Sequence, residues 1–106
     1  MSTRQVATIT STANRRIVEA RKLGERKHRE RQGRFLVEGL QLLHMALDAG
    51  ARPVEVFCCE SLFAGTEAAA LLSRFRATDA PLVPVSENVM RALSERDAPQ
   101  GIVAAF

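Results

Sequence analysis

With 106 residues, 46% of them hydrophobic and 25% charged, the chain is long enough to enclose one hydrophobic core and too short for two domains. No uninterrupted apolar run approaches the roughly 20 residues that span a bilayer, and residues 1–10 contain no apolar stretch typical of a secretory signal, so we exclude membrane insertion and predict a cytoplasmic location. The net charge of +3 is modest, and its uneven distribution along the chain is more informative than its size.

The first predicted element is a helix over Ser11–Leu23, in which apolar residues recur at helical spacing. Hydroxyl side chains at residues 10–12 are candidates for its N-cap, and Gly24 can end it. The very polar residues 25–32 form either a short helix or a mobile loop, closed by Gly33. Neither alternative is expected to bury a side chain.

Positive charge is concentrated between Arg15 and Arg34. This segment contains nine basic and three acidic residues, a net charge of +6, which leaves a net charge of −3 on the rest of the chain. A basic arm on a mildly acidic domain is expected when one face meets a polyanion, so nucleic acid is the favoured partner. The alternative is a solvated helical face, because Glu25 with Arg29 and Glu30 with Arg34 have the i, i+4 spacing of helix-stabilising pairs.

Strand and helix patterns alternate along the rest of the chain. The predicted strands cover residues 35–37, 54–59, 82–85 and 102–106, and the predicted helices cover residues 40–49, 66–76 and the segment that Ser86 caps. The helix over residues 40–49 is apolar almost all round, so we expect it to be largely buried. We expect core positions for Leu71 and Leu72, and for Phe35, Phe57, Phe75 and Phe106. The alternation predicts an α/β fold, a small three-layer α-β-α sandwich with a four-stranded, mainly parallel sheet.

Few groups in the sequence suit catalysis, and we predict no catalytic residue in this chain. His28 lies in the basic segment, where contact with phosphate or solvent is favoured over catalysis. His44 has Asp48 one turn later as an orienting carboxylate, but no nucleophile completes a triad, so a structural role is favoured. The adjacent Cys58 and Cys59 alternate across a strand and are interpreted as buried structural thiols, without a disulfide or a zinc site.

The composition also limits the ligands that we expect. Every glycine is isolated, so the chain lacks a Gly-rich phosphate loop, and we predict neither a cofactor site nor a metal site within it. Aromatic residues are few, with five Phe and no Trp or Tyr. RNA recognition would therefore depend on phosphates and on RNA shape, with stacking of arginine side chains as a supplement.

Three groups of residues resemble one known family. They are Ser11–Ile17, then Lys27–Arg29 with Gly33–Gly39 (the latter reading GRFLVEG), and finally Pro99–Ala104, which reads PQGIVA. Together they resemble, almost end to end, the N-terminal substrate-binding domain of the SpoU (TrmH-like) RNA 2′-O-ribose methyltransferases. The resemblance implies a fold similar to that of the ribosomal proteins that bind kink-turn RNA.

The resemblance also implies what this domain and its neighbour do. Residues 1–106 would dock RNA, with 23S rRNA favoured over tRNA. A knotted catalytic domain would follow residue 106, bind S-adenosylmethionine, methylate the docked RNA and form a homodimer. The apolar residues 104–106 are accordingly interpreted as a domain boundary. The alternative is a stand-alone RNA- or protein-binding module of the ribosomal-protein type.

The predicted RNA-binding residues lie between residues 14 and 34. They are Asn14, Arg15, Arg16, Lys22, Arg26, Lys27, Arg29, Arg31 and Arg34. The family-like residues outside this segment are Glu38, Gly39, Pro99, Gln100 and Gly101. Glu38 has an alternative explanation as a carboxylate beside the N-terminus of the next helix, where the helix dipole favours negative charge.

Overall fold

Four strands and five α-helices alternate in the computed structural model, which describes residues 7–106. The strands are β1 (Leu36–Glu38), β2 (Glu55–Cys58), β3 (Leu82–Pro84) and β4 (Ile102–Ala105). The helices are α1 (Arg15–Arg21), α2 (Arg26–Gln32), α3 (Leu40–Asp48), α4 (Glu67–Arg76) and α5 (Glu87–Leu93), with short 3-10 helices at Lys22–Gly24 and Glu60–Leu62. Residues 1–6, which open the segment that shows no secretory signal in sequence, lie outside the described residues.

The four strands form one sheet in the order β1-β4-β2-β3. β2 and β3 pair in parallel, whereas β4 pairs antiparallel with both β1 and β2. The first three strands therefore share one direction, and the last strand runs against them in the centre of the sheet. The prediction of a mainly parallel sheet is wrong, because two of its three pairings are antiparallel.

The route of α5 explains the reversed strand. This helix begins just after β3, and it ends at the carboxyl end of β1, where Glu38 Oε1 accepts a hydrogen bond from the Glu95 amide at 3.0 Å. Both ends of α5 thus lie near the end of the sheet where the three parallel strands terminate. β4 begins at that same end of the sheet, with Ile102 opposite Cys58, and therefore runs antiparallel to the other strands. An alternating sequence pattern identifies the strands, but it does not show at which end of the sheet each strand begins.

Helices cover both faces of the sheet, so the predicted three-layer arrangement is confirmed. One core cluster contains Ile17 of α1 together with buried residues of α5, and a second contains Leu43 of α3 and Leu72 of α4. Alternate residues of β2 divide between them, since Phe57 belongs to the first cluster and Val56 to the second. Each face of the sheet therefore has its own core.

The core face predicted for α4 and the cap predicted for α5 are confirmed. Leu71, Leu72 and Phe75 of α4 are buried, as is Phe57 in the sheet. Ser86 caps α5 as predicted, and its Oγ accepts a hydrogen bond from the Val89 amide at 3.4 Å. At α4, Thr66 occupies the N-cap position but makes no capping hydrogen bond with its side chain.

Two predictions of burial are wrong. Leu42 and Met45 are 55% and 57% exposed, because α3 packs on the sheet with one side and turns its other side to solvent. Phe35 is 51% exposed, although we expected it in the core. It precedes the edge strand β1, where its backbone pairs with Phe106 at 3.0 and 2.9 Å, beyond the buried layers. Phe106 itself is half-buried against the second cluster.

The first helix begins later than predicted. Its N-cap is Asn14, whose Oδ1 accepts a hydrogen bond from the Arg16 amide at 2.9 Å. The hydroxyl of Ser11 instead accepts from the Ala13 amide in the turn before the helix. Of the two alternatives for residues 25–32 the structure has the helix, α2, which ends at Gly33 with a φ of 67°.

Candidate nucleic-acid interface

The predicted RNA-binding residues lie on α1, α2 and the turns beside them, and residues 14–34 are called here the basic surface. α1 is anchored in the core, whereas α2 buries none of its residues. Two hydrogen bonds fasten α2 to the preceding elements: Gln32 Nε2 donates to the Glu19 carbonyl at 3.1 Å, and Arg29 Nη1 donates to the Leu23 carbonyl at 3.1 Å. The cations of α2 are therefore displayed on a helix whose position is fixed by polar contacts.

Three of the predicted residues are engaged in ion pairs. They are Arg16 with Glu55 at 2.6 Å, Lys22 with Glu19 at 3.1 Å, and Arg26 with Glu30 at 3.1 Å. The last two pairs are solvent-accessible, and such pairs stabilise a fold by only about 0–1 kcal/mol. These cations are accordingly able to exchange a carboxylate partner for a phosphate at little cost.

Glu55 differs from the other carboxylates because its side chain is only 13% exposed. Burial raises the pKa of Glu55 above its ordinary value of 4.5, and the guanidinium groups of Arg16 and Arg34 oppose that shift. Part of the charge of Arg16 and Arg34 is thus balanced within the domain. Both are weaker candidates for phosphate contact than sequence alone indicates.

Among the predicted RNA-binding residues, Arg15, Lys27 and Arg31 are the most available cations. All three are exposed. Within residues 7–106, none of them has a carboxylate oxygen within 4.0 Å. A phosphate approaching these three side chains displaces no internal partner.

Three clefts adjoin the basic surface; one, of about 320 Å³, is lined by Arg15, Arg16 and Glu55, and the other two share residues. The larger of these two, of about 840 Å³, lies between the 3-10 helix at Lys22–Gly24, β1 and the end of α5. Its cations are Arg21, Arg29 and Arg96. The smaller, of about 460 Å³, lies between α2 and the start of β1, and its cations are Arg26, Arg29 and Arg34. Arg29 and Phe35 line both clefts and so form a wall between them.

Sequence reasoning missed three residues of these clefts. Arg21 lies in the basic segment but was not among the candidates, and Phe35 was assigned to the core. Arg96 is distant in sequence from the other cations, so no local pattern marks it. The exposed edge position of β1 is the feature that brings Phe35 to the surface, and it follows only from strand order.

The family-like Glu38 joins β1 to the end of α5. Its carboxylate accepts hydrogen bonds from the Ser94 hydroxyl and, at 3.0 Å, from the Glu95 amide. These contacts are with the end of α5 and not with the first turn of α3, so the explanation through the dipole of α3 is not needed. Glu38 is a brace within the fold.

A second set of contacts connects Gln100 and Arg96 with the turn at Gly39. Gln100 Oε1 accepts hydrogen bonds from the Leu40 amide at 3.2 Å and from Arg96 Nη1 at 3.3 Å. A Cβ placed on Gly39 would lie 2.6 Å from Arg96 Nη2, so a side chain there would displace the guanidinium. With the half-buried Pro99 before it, Gln100 holds the loop that leads into β4 against the start of α3.

The sequence profile of the MRM3-like substrate-binding domains matches residues 14–104, nearly the whole of the described chain. The chain belongs to this family. The resemblance to the substrate-binding domain of SpoU methyltransferases, inferred from the sequence, is thereby confirmed.

Solved structures of RNA methyltransferases contain the same fold as this MRM3-like domain. An RNA 2′-O ribose methyltransferase is 40% identical, with a TM-score of 0.81 over 93% of this chain and 36% of that chain. The rRNA methyltransferase from Sinorhizobium meliloti is 28% identical, with a TM-score of 0.77 over 96% of this chain and 37% of that chain. It is also known with AdoMet bound. The SpoU methyltransferase AviRb from Streptomyces viridochromogenes shares the fold at 22% identity, with a TM-score of 0.68 over 87% of this chain and 32% of that chain.

The MRM3-like domain therefore spans about a third of the length of these methyltransferases, from 32% to 37%. No curated protein matches the sequence.

The two histidines of the MRM3-like domain make different contacts. His44 Nδ1 accepts a hydrogen bond from Arg74 Nη1 at 2.9 Å, and Asp48 Oδ1 accepts one from Arg74 Nη2 at 2.7 Å. The carboxylate predicted to orient His44 thus pairs with Arg74 instead, and the three side chains link α3 to α4. His28 is 15% exposed, with Nε2 3.8 Å from a Glu25 carboxylate oxygen, so it offers little surface to a phosphate.

Both thiols of the MRM3-like domain are buried and free, as predicted. Cys58 belongs to the second core cluster and Cys59 to the first, which confirms that they point to opposite faces. Burial raises the pKa of the Cys58 thiol to about 11, and the nearby Glu60 adds to the shift. The thiol of Cys58 is therefore protonated at neutral pH and unsuited to nucleophilic or metal chemistry.

Neither a metal-binding cluster nor a membrane-spanning helix is found in residues 7–106. No three His, Cys, Asp or Glu side chains in that range are grouped to hold a metal ion. The helices in the same range are all too short or too polar to cross a bilayer.

Proposed function

We propose that this MRM3-like domain docks RNA for an S-adenosylmethionine-dependent RNA 2′-O-ribose methyltransferase. The observation that carries the proposal is the group of exposed cations, Arg15, Lys27 and Arg31, which have no internal partner among the described residues. A substrate-binding domain of an RNA-modifying family needs a surface that neutralises phosphates, and unpaired arginine and lysine side chains provide it.

The proposal extends to the protein in which the domain works. A knotted catalytic domain follows residue 106, binds S-adenosylmethionine and forms the homodimer. The length of the structural neighbours supports a further domain, and the AdoMet bound to one of them supports the cofactor; the knot and the homodimer rest on the family resemblance. Ribosomal RNA, with 23S rRNA first, is favoured over tRNA as the substrate, since the neighbour from Sinorhizobium meliloti is an rRNA methyltransferase. A cytoplasmic location and the similarity to kink-turn-binding ribosomal proteins stay predictions.

The test exchanges two available cations for carboxylates. Lys27→Glu with Arg31→Glu should weaken binding to a 23S rRNA transcript and flatten its salt dependence. Each lost phosphate contact removes about 0.7 to 0.9 from the slope of log affinity against log salt. The free energy of unfolding should change by about 0–1 kcal/mol, because both side chains are exposed and unpaired. Arg29 is left unchanged because its guanidinium also holds the Leu23 carbonyl.

Arg76→Glu with Arg91→Glu is the charge-matched control, on arginines that pair with Glu60 at 3.6 Å and with Glu87 at 3.4 Å. It changes the net charge by the same amount, on exposed residues of α4 and α5 outside the basic surface. RNA affinity and salt slope should stay close to those of the wild type in this control. Equal losses in the two double variants would mean that binding follows net charge alone. Unchanged binding in Lys27→Glu/Arg31→Glu would mean that the basic surface does not contact RNA.

A further inference from the structure

Phe35 exposes half of its surface at a position that the fold does not cover. It stands immediately before the edge strand β1, and 51% of the residue is accessible. The ring of Phe106 packs beside it, with centroids 6.2 Å apart and planes inclined by 25°. This neighbour fixes the orientation of the Phe35 ring but leaves much of it open to solvent.

The surroundings of Phe35 carry a net positive charge, since the larger cleft has three arginines against the carboxylates of Glu38 and Glu95. Phe35 forms the wall between the two clefts together with Arg29, whose guanidinium is oriented by the Leu23 carbonyl at 3.1 Å. On the side of the smaller cleft the remaining charged residues are Arg26 and Arg34 against the single carboxylate of Glu30. An exposed aromatic ring thus lies among cations, and apolar side chains such as Leu23 and Leu36 also line the larger cleft.

An aromatic ring beside arginines matches the chemistry of a nucleotide. Arginines neutralise the phosphate, and the ring stacks on the base, whatever its identity. In a paired A-form helix both faces of each base are already covered by neighbouring bases, so only an unpaired base can stack on a protein ring. We propose that Phe35, flanked by Arg29, is the stacking site for an unpaired base of the docked RNA.

This inference rests on the proposed RNA-binding function and adds to it a preference for single-stranded RNA. It also places the binding site beyond residues 14–34. The exposed Leu42 on α3 gives a comparison, because it is as accessible as Phe35 but is not among the residues that line either cleft. Exposure alone would make Phe35 and Leu42 equivalent, whereas stacking distinguishes them.

The experiment compares two RNAs of equal length, a hairpin with an unpaired loop and a fully paired duplex, on the 106-residue chain. Phe35→Ala should weaken binding to the hairpin by about 5- to 100-fold, the usual effect of removing one base-stacking side chain, and leave duplex binding nearly unchanged. Phe35→Leu, which keeps apolar contact with Phe106 but offers no aromatic face, should behave like Phe35→Ala. Phe35→Trp should retain the preference for the hairpin. Leu42→Ala is the control and should bind both RNAs as the wild type does.

The outcomes separate this inference from the proposed function. If Lys27→Glu/Arg31→Glu no longer binds either RNA while Phe35→Ala still binds both as the wild type does, the basic surface binds RNA and the assignment of the stacking site is wrong. If Phe35→Ala weakens both RNAs equally, or lowers the melting temperature without changing the hairpin-to-duplex ratio, Phe35 serves packing and the inference is overturned. If the wild type binds neither RNA, the proposed function itself fails.

Discussion

Gly101 lies where the backbone leaves no room for a side chain. Its φ is 98°, and a Cβ there would be 2.8 Å from both the carbonyl oxygen of Cys59 and the ring of Phe63. The Cys59 amide donates a hydrogen bond to the Gly101 carbonyl at 2.8 Å, so the two segments are held at this separation. The close approach determines how β4 enters the sheet beside β2.

Replacing Gly101 with Ala should destabilise the domain more than the same change at Gly50. Gly50 also has a positive φ, 81°, but a Cβ there would meet nothing within 4 Å. Gly50→Ala should therefore cost only the backbone strain of about 1–2 kcal/mol. Gly101→Ala adds overpacking against a backbone carbonyl, typically about 1–3 kcal/mol more. Urea unfolding of both variants measures the difference, and equal costs would show that the loop at Gly101 yields to a side chain.

For single residues, the sequence indicates which side chains are important more reliably than it indicates which groups they contact. Glu38 and Gln100 are recognisable as family-like, but their partners lie 56 and 60 residues away along the chain. Asn14 could have been identified as an N-cap from its residue type, yet three earlier hydroxyl residues compete for the same role. The position of Phe35 could not be deduced, because its exposure depends on which strand occupies the edge.

Among the elements, α4 has the clearest division between a buried and an exposed side. Leu71, Leu72 and Phe75 are each at most 2% exposed and belong to the core on that face of the sheet. Ser73, which follows Leu72 in the sequence, is exposed. The helix therefore contributes to the domain through packing and takes no part in the basic surface.

Leu72→Ala should lower the free energy of unfolding by about 2–5 kcal/mol, because it opens a cavity in a closed core. Ser73→Ala, one residue further on and exposed, should change it by no more than about 0.5 kcal/mol. The RNA affinity of the folded fraction should be the same in both variants. Chemical denaturation checks the first statement, and a Leu72→Ala protein as stable as the wild type would contradict the core assignment.

Helices α4 and α5 were predictable because their apolar residues recur at helical spacing and one of them has a serine cap. α3 shows the limit of that approach. Its sequence is apolar on nearly every side, so the pattern does not reveal that Leu42 and Met45 face solvent. α2 shows another limit, since a helix that buries nothing carries no apolar period and differs from a loop only in charge spacing.

The whole molecule separates its charges between one surface and the rest of the fold. Residues 15–34 carry a net +6, and the remaining residues a net −3. Because Arg16 and Arg34 are partly balanced by the partly buried Glu55, the effective field comes from fewer cations than the sequence count indicates. Attraction of a polyanion should thus depend on a small set of exposed side chains and should be strongly reduced by salt.

The domain alone should not bind S-adenosylmethionine. All six of its glycines are isolated, so the sequence offers no Gly-rich loop for the cofactor. Titration calorimetry of the 106-residue chain with S-adenosylmethionine should give only heats of dilution, whereas RNA titrated into the same preparation should bind. Micromolar affinity for the cofactor would place a cofactor site in this domain and contradict the proposed arrangement.

The α/β class and its helical layers were predictable from the alternation of patterns, but the direction of β4 was not. The three parallel strands follow the expected rule for strands joined by helices. The fourth breaks it because α5 crosses from the end of β3 to the end of β1 instead of returning along the sheet. That path depends on Glu38 holding the end of α5, a contact that no local pattern contains.

The central place of β4 has a consequence for biosynthesis. In the described part of the chain, β1 pairs with β4 and with no other strand of the sheet. When the ribosome has released the first hundred residues, β1 and β2 still lack the strand that joins them. The sheet is completed only when its last strand, Ile102–Ala105, pairs with both β1 and β2. This domain therefore folds late during its translation.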